Sequence, residues 1–408
     1  MPSPGASGAL DWSGFTDAQR TQFNKDFFGQ AQHGWVMTNP KHGLIGEQTG
    51  SEGDATQVGK PIIFRGDLME KIGTTIRFFV TFLAGGPSVD RGVDLASVAE
   101  VMGYTSLEMG IKEHWKAFGE NFTFTTDQVS YLRQYLQANK HIPRAVGQLW
   151  EIALHIHACG YKPTAATKTH NCFRDVANKL IDPTVKGWNM NPDHLTDYPY
   201  TGPHSQFRVL PSTLTVEEDI TSTHTFSVAQ MEKMGARLQD PNIGIPPCED
   251  GLYKLFLHPF CWSDLKLDSR FKEVFVTHPN APAEGKNIAV TGEVGHWDRF
   301  TIYPDPFVTP GIRSDTGAVI PTVRRNVVLG AGGLSMGCGK EGCAPGAKAQ
   351  SLNLSTESKN HGQIKTVAAK WFGGVRRNFW EDDRDTVNTG RSRTAILPAY
   401  APDTSVYT

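Results

Sequence analysis

The sequence predicts an α+β fold organised around a long two-stranded β-ribbon, and three observations carry that prediction. Thr74 to Leu83 reads Thr-Thr-Ile-Arg-Phe-Phe-Val-Thr-Phe-Leu, a run rich in β-branched and aromatic residues. From Leu107 to Ala117, Leu107, Met109, Ile111 and Trp115 alternate with Glu108, Lys112, His114 and Lys116. That period of two, broken at Glu113, marks a strand with one apolar face. From Pro143 onward, Ala145, Val146, Leu149, Ile152, Ala153 and Ile156 recur as one helical stripe. The two strands enclose a long tip that opens Gly85-Gly86-Pro87-Ser88. A lone ribbon is marginal in water, so it needs a support, and a neighbouring copy of the chain is one candidate.

The remaining elements follow in order. Residues 1–60 are rich in Gly, Ser, Thr, Asn and Gln, with Phe15, Phe23, Phe27, Phe28 and Trp35 scattered among them. They read as an extended arm that docks through its aromatics, with a short helix over 17–28. Asp67 to Ile72 reads as a helical turn leading into the first ribbon strand. Thr125-x-x-Gln128 is a capping-box pattern that opens a helix carrying Val129, Leu132 and Leu136. Pro143 and Gly160 are the start and stop signals of the next helix. Residues 161–215 read as irregular. A second capping box, Ser227-x-x-Gln230, opens a helix with Val228, Met231, Met234 and Leu238.

Tyr253 to Leu257 is a buried strand, followed by His258-Pro259 and a short helix over 263–267. Residues 285–310 alternate turns and short strands around Phe300, Ile302 and Tyr303. Val323 to Leu329 is a strand or a helix entry. A glycine-rich loop is expected from Gly330 to Gly346, and β-like pieces over 364–372 and 395–397. No internal repeat of fixed period is present.

At 408 residues the chain is long enough for two or three cores. Hydrophobic content of 39% and aromatic content of 10% describe a globular chain. The 41 glycines and 25 prolines favour many turns and loops. A formal charge of -2 supplies no strong field for nucleic acid or anionic membrane. Arg20, Lys25, Lys41 and Lys60 are outnumbered by the acids of residues 1–60, so the arm is not basic. The arginines after Val375 are balanced by acids. If the protein lies beside DNA, it is therefore expected to hold it through few phosphate contacts. Phe78 to Gly85, the longest strongly apolar run, is too short to span a bilayer. No charged-then-apolar leader is visible at the N-terminus. Six cysteines, Cys159, Cys172, Cys248, Cys261, Cys338 and Cys343, do not resemble a secreted disulfide framework and point to a reducing compartment.

Few motifs point to chemistry. Gly333-Leu334-Ser335-Met336-Gly337 matches the Gly-x-Ser-x-Gly pattern of serine hydrolases. That chemistry requires Ser335 on a sharp strand-to-helix turn with a later Asp and His. The glycine- and cysteine-rich residues 337–343 are a poor helix, and His361 is the one downstream His. Gly330-Ala331-Gly332-Gly333 lacks the spacing of a dinucleotide fingerprint. Cys338 and Cys343 have no second ligand pair of matching spacing for zinc. His155 and His157 sit two apart on a helix and face different ways. The acids Glu381, Asp382, Asp383 and Asp385 lie beside Arg376, Arg377 and Arg384 and read as a charge cluster and not as a cation site. The expectation is a protein that is not an enzyme, with no catalytic, cofactor or metal residues.

Five segments, in their order and spacing, carry a resemblance. They are Asp67 to Phe78 with Leu83 to Pro87; Leu107 to Ala145; Leu255 to Pro259 with Asp264-Leu265; Asn287 to Gly295 with its Thr-Gly-x-x-Gly; and Val328 to Ala331 with Gly373 to Phe379. Together they resemble a tailed-bacteriophage major capsid protein of the Hong Kong 97 fold, in the subfamily of N-four-type podoviruses. The insert at 337–346 and the long N-terminal segment depart from that pattern.

The resemblance implies an N-terminal arm over 1–60, an extended β-ribbon loop over 61–118, and a peripheral domain over 119–199 with a long spine helix. It implies an axial domain over 200–345 and a return to the peripheral domain over 346–408. It further implies pentamers and hexamers that self-assemble into an icosahedral shell around double-stranded DNA. The implied partners are other copies, a portal, and a scaffold or decoration protein, without membrane. The implied location is the virion, after assembly in the host cytoplasm. The alternatives are an encapsulin-like compartment shell, a serine hydrolase using Ser335, and a monomeric binding module.

Overall fold

A computed structural model describes residues 35–47, 59–68, 74–81, 104–121, 134–164, 166–202, 204–240, 243–277, 295–339, 353–359, 364–381 and 390–403. Its elements are β1 (Ile45–Glu47), β2 (Ile62–Leu68), β3 (Thr75–Thr81), β4 (Tyr104–Gly110), β5 (Lys112–Asn121), α1 (Gln134–Ala158) and the one-turn α2 (Lys186–Asn189). Next come α3 (Val228–Gln239), β6 (Tyr253–Leu257), α4 (Pro259–Leu267), α5 (Ser269–Thr277), β7 (Gly295–Trp297), β8 (Phe300–Pro304) and β9 (Pro310–Ile312). The last are β10 (Val319–Leu329), β11 (Leu334–Gly339), β12 (Asn353–Lys359), β13 (Ile364–Arg377), β14 (Phe379–Glu381), β15 (Gly390–Ser392) and β16 (Thr394–Tyr400).

Two sheets hold the molecule together. One has the order β1-β2-β11-β13-β12, and β5 also pairs with β13. The N-terminal part of the long β13 lies between β12 and β5, and its C-terminal part pairs with β11. The other sheet has the order β16-β10-β6-β8-β7, with β9 also on β10. Pairing thus crosses the segment boundaries read from the sequence: β11 (334–339) joins β2 and β13, while β16 (394–400) joins β10.

The helix α1 is the central element. It starts at Gln134, so Pro143 lies inside it and not at its first turn as expected. Pro lacks an N–H, so the Asn139 carbonyl has no intrahelical donor, and interior Pro costs about 3 kcal/mol. Burial of the following turns offsets that cost: every residue from Val146 to Tyr161 is buried. The expected single stripe is therefore only part of a helix enclosed all round. Val146, Leu149, Trp150 and Ala153 join the main core, and Ile152 and Ile156 join a second one with Trp35, Tyr161, Phe173 and Phe307. Gly160 ends the helix as expected, at φ +60°. The Tyr161 N–H donates to the Ile156 carbonyl at 2.9 Å and the Gly160 N–H to that of His157 at 3.2 Å, the paired bonds of a Schellman cap.

A buried arginine completes that cap. Arg325 on β10 donates from Nη1 to the Gly160 carbonyl at 3.0 Å and to Asp197 Oδ1 at 2.7 Å. Its Nε donates to Glu217 Oε2 at 3.0 Å. Glu217, itself buried, also accepts from the Ile312 N–H at 2.9 Å and faces Arg208 Nε at 3.5 Å. One guanidinium thereby joins the end of α1, the irregular 190s segment and the second sheet.

Several local readings change in the fold. Asp67 and Leu68 close β2 instead of starting a helical turn, because β11 pairs with β2 as far as Leu68, and residues 69–72 of the expected turn lie outside the described residues. The expected loop after Gly330 contains β11, all six residues of which are buried. α3 starts after Ser227 as expected, but no capping box forms there. Asp268 Oδ2 accepts the Val228 N–H at 3.0 Å instead, and Gln230 Nε2 donates to the carbonyls of Val209 and Pro398 at 3.0 and 2.9 Å. α4 begins at Pro259 and not at Ser263, with His258 Nδ1 accepting the Phe260 N–H at 3.4 Å. β6 and β16 contain the strands read at 253–257 and 395–397, and β10 resolves Val323 to Leu329 as strand. Trp35 is buried against Phe307, with ring centroids 5.5 Å apart. The helix expected over 17–28 and the capping box at Thr125 lie outside the described residues.

Two stability tests follow from this packing. Ile152→Ala is expected to cost about 2–5 kcal/mol, read as a lower urea midpoint at unchanged slope. Arg325→Leu leaves Glu217 buried with a weaker partner and is expected to cost about 3–5 kcal/mol. A loss under about 1 kcal/mol there would show that the network contributes little.

Candidate functional site

The base of the ribbon is anchored on the chain's own core residue by residue. β3 and β4 are antiparallel, with Thr75 opposite Gly110 and Thr81 opposite Tyr104. Ile76 faces Met109 and Phe78 faces Leu107 across the pair, and all four are buried together with Ile63, Ile111 and Trp380. The other face carries Arg77 opposite Glu108, an exposed ion pair at 2.6 Å. The expectation that a neighbouring copy supports the ribbon does not hold for this base, which sits on the chain's own first sheet. Residues 82–103, including the Gly85-Gly86-Pro87-Ser88 tip, lie outside the described residues.

The seat explains the glycine in β11. A Cβ on Gly337 would stand 2.5 Å from Ile76 Cδ1 and 2.6 Å from Met109 Cε. The bare backbone at 337 is what lets the ribbon's apolar face lie on the sheet. Polar contacts fix its direction. Asn191 Nδ2 donates to the Gly110 carbonyl at 2.8 Å, and His194 Nε2 accepts the Gly110 N–H at 3.2 Å. Arg376 donates to the Glu108 carbonyl and Arg65 to that of Arg77.

The single return strand read from 107 to 117 is two strands. The Ile111 N–H donates to the Thr74 carbonyl at 2.7 Å, and the chain then leaves β3 and pairs with β13 as β5. The step reverses the alternation. Leu107, Met109 and Ile111 are buried, but beyond the step His114 is buried and Trp115 is 56% exposed. Trp115 lies beside Lys370, whose Nζ is 5.1 Å from its ring centroid. His114 stacks on Trp371 at 5.6 Å. Burial, then the Lys186 charge from α2 and the Lys112 charge on β5 itself, push its imidazole from 6.5 down to about 4.

The residues that the sequence singled out for chemistry are dispersed. Ser335 is not on a strand-to-helix turn. It is buried within β11, and its Oγ donates to Asn378 Oδ1 at 2.8 Å, so a hydrolase nucleophile is excluded on access and geometry. Cys338 is buried in the same strand, while Cys343 and His361 fall outside the described residues. Glu381 ends β14, and the acids after it are also outside them. His157 Nε2 contacts the Asn189 carbonyl at 3.0 Å. His155 turns elsewhere, toward Glu151 and Asp305. The spacing of Glu151 and His155, one turn apart, was visible in sequence, whereas Asp305, brought in by the end of β8, had no signal there.

No protein-family model matches the chain, and no curated protein matches it. Solved structures do. The capsid of Ralstonia phage GP4 superposes with a TM-score of 0.63 at 14% identity, covering 88% of this chain and 90% of that one. The cyanophage Pam1 capsid asymmetric unit gives a TM-score of 0.59 at 12% identity, covering 96% and 99%. The acid-stable capsid of Helicobacter pylori bacteriophage KHP30 gives 0.53 at 10% identity, covering 89% and 91%. The fold of this chain is that of phage capsid proteins, a mixed α+β architecture of several sheets and few helices, as the five-segment resemblance implied.

Two measurements probe this region. Gly337→Val is expected to destabilise the protein by about 1–3 kcal/mol, because Ile76 and Met109 must move, and the urea midpoint will show it. His114 is neutral when folded but takes up a proton on unfolding below its ordinary value, so its contribution is present at neutral pH and is lost as pH falls. Between pH 6.5 and about 4 it removes up to about 1.4 kcal/mol of stability per pH unit. His114→Gln is expected to flatten the stability–pH curve in that window, and an unchanged slope would refute the assignment.

Proposed function

We propose that this protein is a phage major capsid protein, of the tailed-phage, Hong Kong 97 type, whose copies self-associate into capsomers and an icosahedral shell. The observation that supports this most is the fold shared with phage capsids over 88–96% of this chain and 90–99% of theirs. The ribbon adds a physical argument. Its base lies on the first sheet over Gly337, and the chain leaves that base at Thr81 and re-enters it at Tyr104. Many modest contacts per subunit, summed over a closed shell, give stability while each contact stays reversible during assembly.

In this reading residues 1–60 act as an arm and 61–118 contain the extended loop. The peripheral domain, 119–199, holds α1 as the spine helix; the axial domain spans 200–345; and 346–408 return to the peripheral domain, apart from the strand exchanges already described. The subfamily is that of N-four-type podoviruses. The shell encloses double-stranded DNA, and the near-neutral charge of -2 suits a wall that does not trap it. A portal and a scaffold or decoration protein complete the particle. Assembly takes place in the host cytoplasm, and the protein catalyses no reaction.

Negative-stain electron microscopy of the purified full chain tests the central claim. Closed shells or capsomer-sized rings are expected, and a monodisperse monomer at every concentration, with or without co-expressed phage proteins, would overturn it. Removing Gly86 to Met102 is expected to abolish shells while leaving far-UV circular dichroism unchanged. Normal shells from that deletion would refute the role given to the ribbon.

A further inference from the structure

Glu151, His155 and Asp305 meet in the interior, each with almost no solvent exposure. Glu151 and His155 are successive turns of α1, and Asp305 follows β8. His155 Nε2 stands 3.0 Å from Asp305 Oδ2 and 3.7 Å from Glu151 Oε1, and the three donor atoms lie within 4.8 Å of one another. Despite the ion-pair distance, neither His155 Nε2 nor Asp305 Oδ2 has a partner in hydrogen-bonding geometry. His155 Nδ1 is likewise without a partner, whereas the remaining carboxylate positions are taken. Asp305 Oδ1 accepts the Phe307 N–H at 2.8 Å, and the Asp305 N–H is spent on the Leu257 carbonyl at 2.7 Å. Glu151 accepts the N–H groups of Met37 at 2.6 Å and Thr38 at 3.0 Å, one on each oxygen.

Charge decides what fits between them. Two carboxylates and an imidazolium leave one net negative charge in the interior, which is costly. A proton on Glu151, whose carboxyl burial pushes up to about 7, is the competing way to remove it, although both carboxylate oxygens already accept backbone N–H groups, an arrangement that favours the ionised form. Two carboxylates, a neutral imidazole and one divalent cation sum to zero. Tetrahedral metal–ligand bonds of about 2.0–2.2 Å put neighbouring donors roughly 3.3–3.6 Å apart, and the two His155 distances, 3.0 and 3.7 Å, bracket that spacing. One imidazole nitrogen with two carboxylate oxygens suits Zn2+ better than Mg2+ or Ca2+, which take oxygen donors.

We propose that Glu151, His155 and Asp305 bind one Zn2+ ion, a structural staple that ties α1 to the turn after β8 and, through Glu151, to residues 37 and 38. This site is independent of the assembly reading, since it lies within one chain.

The test is to unfold the full chain with EDTA, refold it with Zn2+ or with EDTA, measure zinc content after removing free metal, and measure melting temperature with free Zn2+ or with EDTA present. About one ion per chain is expected, with a melting temperature raised by roughly 3 °C at zinc about 100-fold above its dissociation constant. X-ray absorption should show only nitrogen and oxygen neighbours, near 2.0–2.2 Å. Asp305→Asn should reduce zinc below about a tenth of an ion per chain with unchanged circular dichroism. Should that variant not fold, the wild-type absorption spectrum still decides, because sulfur neighbours at about 2.3 Å would put the ion on cysteines and overturn the proposal. So would zinc below about a tenth of an ion in the wild type with equal melting temperatures, leaving a buried ion pair that shares a proton.

Discussion

A helix that is buried on every side must satisfy all its polar groups from within the protein, and the rest of this structure is arranged around that constraint. From Val146 to Tyr161 α1 has no solvent-facing side, yet it carries Gln148, Glu151, His155 and His157. Where one of these side chains is hydrogen-bonded, its partner lies on another segment. Glu151 takes the backbone of Met37 and Thr38, His157 the carbonyl of Asn189, and Arg325 the carbonyl end of the helix. The distant segments are therefore held in place by the helix's unmet polar groups as much as by its apolar ones. Apolar packing alone tolerates slippage, whereas a buried acceptor with one donor in reach does not.

The ribbon obeys a second constraint, the room its apolar side chains need. The tips of Ile76 and Met109 fill the space that a side chain at 337 would take, and the turn into β5 occurs where the Ile111 N–H donates to the Thr74 carbonyl. The pleat reverses at that step, which buries His114 and exposes Trp115. A burial cost on the histidine and an exposed tryptophan are the two consequences of moving one strand from a ribbon partner to a sheet partner within a single residue.

The elements that sequence made legible are those whose partners are local. β6 reads as five consecutive apolar or amphipathic residues, and the stop of α1 reads from Gly160, whose cap is made by its immediate neighbours. The elements that sequence misplaced are those decided by remote residues. Pro143 looked like a helix start because nothing nearby reveals the burial that sustains a helix through it. Residues 334–339 looked like loop because their glycines are explained by Ile76, Met109 and Phe372, far away in sequence. The alternation from Leu107 to Trp115 was real on both sides of Ile111 but assigned Trp115 to the wrong face, since a periodicity cannot show a change of partner. At the Glu151 cluster the i, i+4 pair was visible and its third member was not.

These failures share a physical cause that also bears on how such a fold diverges. Capsid folds of 10–14% identity superpose over most of this chain, so few particular side chains can be required for the architecture. What such divergence leaves is the overall backbone arrangement, which in this chain includes a strand pair lying on a sheet, a helix buried on all sides and a long strand paired on both edges. Each lineage has to meet the polar and steric demands of those relationships with its own residues. Gly337 under the ribbon, Arg325 at the end of α1 and the carboxylates around His155 are this chain's solutions. They sit at junctions between segments, where the backbone arrangement sets the demand and the local sequence carries no sign of it.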